Sequence, residues 1–323
     1  MDQKYTFKAA VLDDYQNVAS RMANWHKLRD KIRFEFFNEH LIDESEISDR
    51  FSKFDILILN RERTPFLSSQ LKGLPNLKLL LTSGHRNFSI DVKTANERGV
   101  TVCGTDMISF STPELAWGLM LSLARQIPME DQLLRAGGYW QTTVGISLRG
   151  RTLGIVGLGK LGAPMAKIGQ AFGMKVIAWS PNLTLDRAAA VGVVYATKND
   201  LFSNADFITL HMPLSDRSRG IVGAKEIKLM KSSAFLINTS RGPLVDEKSL
   251  ISSLQRKEIA GAGLDVFDIE PLPLSHPLRQ LKNTVLTPHL GYVVEENYKQ
   301  GFEQMIENIE AWLDGMPIRE ISA

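Results

Sequence analysis

A single cysteine, Cys103, stands among 323 residues, so no internal disulfide and no multi-thiolate metal site can form. It reads as a small core residue closing the apolar run 100–103. No uninterrupted apolar run approaches the roughly 20 residues that span a bilayer. Residues 1–8 are charged and lack the apolar stretch of a secretion signal, so a soluble, cytoplasmic protein is expected, away from membranes. There is no basic block and no basic stripe interleaved with aromatics: 38 Lys and Arg stand against 36 Asp and Glu, for a net charge of +2. That balance offers nucleic acid no surface. Nothing in the composition suggests a metal site. Low-complexity segments are absent, and no Gly/Ser linker divides the chain.

What is present is alternation. With 44% hydrophobic and 23% charged residues, the chain is globular and long enough for two domains, each with its own core. Short apolar runs alternate with amphipathic stretches in two series, which reads as repeated βα units in mostly parallel sheets. The first series has strand-like runs at 9–12, 32–37, 55–59, 77–81 and 100–103. The second has them at 152–156, 175–179, 193–195, 207–210, 234–238, 263–266 and 284–286. Between the series, 112–125 predicts an apolar helix with Pro113 in its opening turn, where a missing N–H does no harm. After the second, apolar Phe302, Met305, Ile306, Ile309 and Leu313 at helical spacing predict a helix over 295–313. Two α/β domains tied by helices are expected, with a ligand cleft between them.

The second series opens with Gly157-Leu158-Gly159-Lys160-Leu161-Gly162, directly after a strand and before the helical run 163–172. In such a turn the first glycine reverses the chain, the second lets backbone approach a pyrophosphate, and the third lets helix pack on strand. The helix N-terminus adds positive potential. A dinucleotide site commonly places an acid about 20 residues on, where it bonds a ribose 2′-OH and repels a 2′-phosphate. Here the position holds Ser180, so that repulsion is missing and NADPH is expected beside NADH, with a slight preference for it. Asn182 and Arg187 could meet the phosphate, although Arg187 reads equally as a solvated helix charge and Asp186 beside it weakens the case.

Further on, Arg241, Glu270 and His289 each sit beside a strand or its exit loop, where open α/β sheets bind ligands. A cation, an acid and a titratable imidazole at such positions are the groups needed to reduce a keto acid. His211, at another strand exit, reads as part of a cofactor-side wall. The ordered set Gly157 to Gly162, Asn238-Thr239-Ser240-Arg241-Gly242, Gly263 to Pro271 and Thr287-Pro288-His289-Leu290-Gly291 closely resembles the D-isomer-specific 2-hydroxyacid dehydrogenase family, which includes phosphoglycerate dehydrogenase and glyoxylate/hydroxypyruvate reductase. The likeness covers essentially the whole chain, including Pro113-Glu114-Leu115-Ala116-Trp117.

The resemblance implies a doubly wound Rossmann nucleotide-binding domain at 105–291, inserted in a flavodoxin-like substrate domain made of 1–104 and 292–323. It implies that Arg241 clamps a substrate carboxylate and polarises the 2-keto oxygen. His289 then donates the proton, and Glu270 orients the imidazole and favours its charged form. Gly157, Gly159, Lys160, Leu161, Gly162, Ser180, His211, Thr239, Ser240, Asp265 and Gly291 are the implied cofactor contacts, with Asp265 at the nicotinamide carboxamide. Where many members carry a glycine-rich substrate loop, this chain has Thr82-Ser83-Gly84-His85-Arg86-Asn87. Ser83, Gly84, His85 and Arg86 would touch substrate, and Arg86 points either into the pocket or to solvent. Trp140 could wall a neighbouring subunit's pocket, or serve core or interface packing.

The expected activity is hydride transfer between NAD(P)H and a small 2-oxo acid, giving the D-2-hydroxy acid. A homodimer is expected. An end at Ala323 argues against an appended regulatory domain. Formate dehydrogenase shares the fold but places glutamine where this chain has Glu270. A nucleotide-sensing, corepressor-like protein on the same scaffold is the reading from another class.

Overall fold

The computed structural model describes residues 5–41 and 45–322, so the extreme ends of the expected 1–104 and 292–323 segments lie outside the described residues. Two compact units are present, Met1–Ile108 with Val294–Ala323, and Ser109–Val293.

The first unit holds a five-stranded sheet in the order β2-β1-β3-β4-β5. Its strands are β1 (Phe7–Val11), β2 (Ile32–Phe36), β3 (Ile56–Leu59), β4 (Leu79–Thr82) and β5 (Thr101–Cys103), and every pairing is parallel. Strands β3 (ILIL) and β4 (LLLT) are buried at every position. Continuous apolar runs of this kind, rather than alternating ones, are what a parallel sheet covered on both faces requires. Cys103 is fully buried and unpaired, and burial pushes its thiol up to about 12. The long helix Glu295–Leu313 belongs to this unit and buries Phe302, Met305, Ile306 and Ile309, as its spacing predicts.

The second unit holds a seven-stranded parallel sheet in the order β12-β11-β10-β9-β6-β7-β8. Its strands are β6 (Thr152–Val156), β7 (Lys175–Trp179), β8 (Val194–Tyr195), β9 (Phe207–Leu210), β10 (Phe235–Asn238), β11 (Gly261–Leu264) and β12 (Thr284–Leu286). The helix Ser111–Arg125 packs on this sheet, with Trp117, Leu119, Met120 and Leu123 buried. Both sheets are therefore doubly wound α/β, one flavodoxin-like and one of the Rossmann order. Among the described residues no helix is long and apolar enough to cross a membrane.

Several strand ends move by one or two residues, β1 and β4 among them, and one strand is displaced at both ends where it bears on the chemistry. The run 263–266 predicts a strand, but β11 lies two residues earlier and pairs Phe235 with Gly261 through Asn238 with Leu264. Its two glycines weaken the sequence signal for a strand. They are there because space is short: a Cβ on Gly261 would stand 2.5 Å from the carbonyl oxygen of Asn283, and one on Gly263 would stand 3.0 Å from Leu119. The shift has a consequence for chemistry, since it frees Asp265 and Val266 to begin an exit loop.

Candidate active site

In the second unit the strand order reverses between β6 and β9, and such a switch point opens a crevice outside the carboxyl ends of the strands. The loop Gly157 to Gly162 leaves β6 there. Gly157 has φ of +101°, and a Cβ on it would stand 2.4 Å from the carbonyl oxygen of His211, which leaves β9 next door. Likewise a Cβ on Gly162, where the helix Gly162–Ala171 begins, would stand 2.1 Å from the oxygen of Gly157. A Cβ on Gly159 would meet nothing within 4 Å, so the middle glycine faces open space. Tight packing at the first and third glycines and room at the second are what a pyrophosphate on a helix N-terminus needs.

Among the described residues, two buried polar atoms at the exits of β9 and β10 have no partner: Nδ1 of His211 and Oγ1 of Thr239. His211 shares a 2.8 Å hydrogen bond with Thr209 through Nε2, and burial pulls its imidazole down to about 4, so it is neutral at physiological pH. Orphaned buried polar groups at strand ends fit a cradle for a polar ligand such as a nicotinamide cofactor. At the end of β7, Ser180 is half-buried and Pro181 exposed, and the Arg187 guanidinium donates to the Asn182 carbonyl at 3.0 Å. No acid occupies residues 180–185.

The loops after β10, β11 and β12 carry the ionisable residues Arg241, Glu270 and His289. Asn238 turns the chain at the end of β10, its amide donating to the Arg241 carbonyl at 2.8 Å and its oxygen accepting from Ser240 N at 3.0 Å. Ser240 Oγ donates to Leu210 O at 2.7 Å, which ties this turn to β9. Arg241 Nη1 donates to Ser240 O at 2.7 Å. Gly242 lets the turn press on the next loop, since a Cβ there would lie 2.1 Å from the Phe267 carbonyl.

In that next loop Glu270 is held at both carboxylate oxygens: Phe267 N donates to Oε1 at 2.8 Å, and His289 Nδ1 stands 2.6 Å from Oε2. An ionised carboxylate only accepts, so Nδ1 carries a proton and Nε2 is left for chemistry. Among the described residues Nε2 has no protein partner. His289 itself has φ of +55°, unusual for a non-glycine residue, and its ring meets Tyr292 edge-on at 5.6 Å.

Asp265 stabilises that conformation. Its fully buried carboxylate accepts from Thr287 Oγ1 at 2.6 Å, Leu290 N at 2.7 Å and Gly291 N at 2.9 Å, while its own carbonyl accepts from His289 N at 2.9 Å. Burial pushes the Asp265 carboxyl above the usual range, and the donors and the nearby His289 oppose that shift. Its oxygens thus clasp the loop that presents His289. Thr287 was not anticipated as a contributor; the Thr-Pro-His run is the signal that could have pointed to it.

In the first unit, the loop after β4 carries Ser83 half-buried, Gly84 buried, and His85 and Arg86 exposed. Ser83 N donates to Leu59 O at 3.3 Å and Gly84 N to Thr105 Oγ1 at 3.1 Å. Arg86 has no partner among the described residues. Trp140 is 77% exposed, beside Tyr139 at 90%, so it is not a core residue of this chain. No group of three metal-ligating side chains occurs among the described residues.

Comparison with known proteins extends these observations. The profile described as "D-isomer specific 2-hydroxyacid dehydrogenase, NAD binding domain" matches residues 117–291. A glyoxylate reductase of Aeropyrum pernix is 36% identical over 254 residues, 76% of each chain. A hydroxypyruvate reductase of Thermotoga maritima is 34% identical over 286 residues, 87% of this chain and 92% of that one. Among solved structures, a phosphoglycerate oxidoreductase from Vibrio cholerae O395 has a TM-score of 0.91 at 37% identity, covering 96% of this chain and 99% of that one. Because the profile spans more than half of the chain, and the structural likeness runs through both units, the chain belongs to the D-isomer specific 2-hydroxyacid dehydrogenases.

Proposed function

We propose that this protein is an NAD(P)H-dependent reductase of small 2-oxo acids of the glyoxylate and hydroxypyruvate type, yielding the D-2-hydroxy acid. The observation that carries the reading is the 2.6 Å pair between Glu270 and His289, which leaves the other imidazole nitrogen unpartnered among the described residues. When bound, the reduced nicotinamide supplies hydride to C2. The chain's own residues do the rest. Arg241 receives the carboxylate and polarises the C2 carbonyl, a task suited to a forked, permanently charged guanidinium. His289 gives the proton on Nε2 to the C2 oxygen, and Glu270 holds Nδ1–H and stabilises the charged ring.

For the cofactor, we assign Gly157, Gly159, Lys160, Leu161 and Gly162 to the pyrophosphate and Ser180 to the ribose. His211, Thr239, Ser240, Asp265 and Gly291 fall to the nicotinamide side. The absence of an acid at Ser180 supports use of NADPH as well as NADH. In the first unit, Ser83, Gly84, His85 and Arg86 form the substrate loop. The N–H groups of Ser83 and Gly84 are engaged, which makes those of His85 and Arg86 its carboxylate donors. A homodimer is supported by the helix Ile127–Arg135, which buries none of its residues, and by Val144, 97% exposed near Tyr139 and Trp140.

The test is loss of nicotinamide absorbance with NADH and with NADPH against a panel of 2-oxo acids. Turnover of glyoxylate or hydroxypyruvate is expected. Tight binding of the cofactor with no turnover of any acid would favour a nucleotide-sensing role instead.

A further inference from the structure

The loop Ser83 to Asn87 is held from outside its own sheet. The Ser83–Gly84 peptide is gripped at both ends: its carbonyl accepts from Arg61 Nη1 at 3.2 Å and its N–H donates to Thr105 Oγ1 at 3.1 Å. A planar peptide fixed at O and at N cannot rotate, so it sets the direction in which the chain enters residues 85 and 86. One residue on, His85 Nε2 stands 2.7 Å from Asp106 Oδ1. Thr105 and Asp106 belong to the segment 104–108, which leads out of the first unit and has no strand partner after Cys103. It lies close against the loop, since a Cβ on Gly104 would stand 2.5 Å from the Gly84 oxygen.

That segment still needs partners for its backbone groups, and one stripe of the helix Glu295–Leu313 supplies them. Asn297 Oδ1 accepts from Ile108 N at 2.7 Å; Gln304 accepts from Asp106 N at 2.7 Å and donates to Asp106 Oδ2 at 2.9 Å; Asn308 donates to Gly104 O at 2.8 Å. Residues 297, 304 and 308 share a helix face. Asn308 is fully buried and is itself held by Arg319 at 2.9 Å. His85 and Gln304 together keep the Asp106 carboxyl below the usual range.

We propose that Thr105 and Asp106 are positioning residues for substrate binding, with Gln304 fixing Asp106: the amide ladder sets the segment, and the segment sets the loop that receives the 2-oxo acid carboxylate. The inference rests on the reductase reading above, and its test separates the two. Thr105→Val removes the acceptor at nearly constant shape, and Thr105→Ser restores it. With glyoxylate and NAD(P)H, Thr105→Val should raise KM for the acid about tenfold while kcat and the coenzyme KM stay within about twofold, and Thr105→Ser should behave as wild type. Gln304→Leu, which cuts a more exposed contact, should raise the same KM by roughly threefold. Amide exchange across residues 83–87 should quicken in both variants.

An active wild type whose variants keep wild-type KM and exchange would overturn the proposal. So would loss of kcat and Tm with KM unchanged, which is the signature of mere structural damage. If Thr105→Val does not fold, Gln304→Leu decides alone by the same two readouts. A wild type that turns over no 2-oxo acid would overturn the reductase reading and with it the substrate role of Thr105 and Asp106.

Discussion

Two histidines leave strands of the same sheet and come to opposite ends. His211, after β9, is buried against Thr209 with no counter-charge, and burial alone drives it to about 4. His289, after β12, keeps 24% of its side chain exposed and faces a carboxylate at 2.6 Å. Desolvation penalises the charged ring at the first position, while the ring at the second holds a carboxylate on Nδ1. What an exit loop can do therefore depends less on carrying an imidazole than on what the neighbouring loop presents to it. Glu270 reaches His289 because Phe267 N pins its other oxygen and Gly242 lets the adjacent turn close in.

The comparison breaks most sharply at His289. His289→Asn keeps a residue that tolerates φ of +55° and removes the proton donor. Reduction of glyoxylate should lose about 10² to 10⁴ in kcat, with coenzyme affinity retained, as single-turnover kinetics and fluorescence titration would read. The same substitution at His211 should leave the chemical step in place. A His289→Asn enzyme with more than a tenth of wild-type kcat would remove the imidazole from the mechanism.

Glu270→Gln comes next. The amide can still accept from Phe267 N or from His289, but it no longer supports a charged ring. Loss of a charge-assisted bond costs about 1.5–3 kcal/mol, or roughly 10- to 100-fold in kcat/KM. A Glu270→Gln enzyme with kcat/KM within about twofold of wild type would mean that the pair seen at 2.6 Å does not serve the proton transfer.

Much of this chemistry is legible in the chain because it sits in short runs beside strand ends: Arg241 in Asn-Thr-Ser-Arg-Gly, His289 in Thr-Pro-His-Leu-Gly. The two parallel sheets were legible for the same reason, as apolar runs at regular intervals. What could not be read is whatever depends on distant pairing. Gln304 lies 198 residues from Asp106, and Asn308 lies 204 from Gly104, so no local pattern links the helix stripe to the segment it holds. β11 lies off its apolar run because its glycines answer to neighbours on β10 and on the helix Ser111–Arg125 rather than to strand propensity. The exposed helix Ile127–Arg135 carries an amphipathic pattern that no described residue buries.

The buried histidine sharpens the comparison through stability rather than rate. A group whose folded value is depressed contributes stability that is complete above its unfolded value and lost as pH falls toward the folded one. For His211 that window runs from 6.5 down to about 4. Between pH 7.5 and 5 the wild type should therefore lose about 2 kcal/mol that a His211→Gln variant does not, as urea unfolding at the two pH values would measure. Equal slopes would mean that His211 is hydrated or paired in the folded protein.

A third exit of the same sheet separates cofactor choice from both histidines. At the end of β7 a half-buried serine stands where an acid would repel a 2′-phosphate, and the Arg187 guanidinium lies on the neighbouring Asn182 carbonyl. Ser180→Asp places a charge there without touching the Glu270–His289 pair. The ratio of kcat/KM for NADH over NADPH should rise by about fivefold, an effect near 1 kcal/mol, carried by the coenzyme KM with kcat for glyoxylate unchanged. If the ratio does not move, Ser180 does not meet the ribose, and discrimination must come from Asn182 and Arg187. If kcat falls with it, the carboxylate has disturbed the exit of β7 itself, and the three exits are less independent than their separate hydrogen bonds suggest.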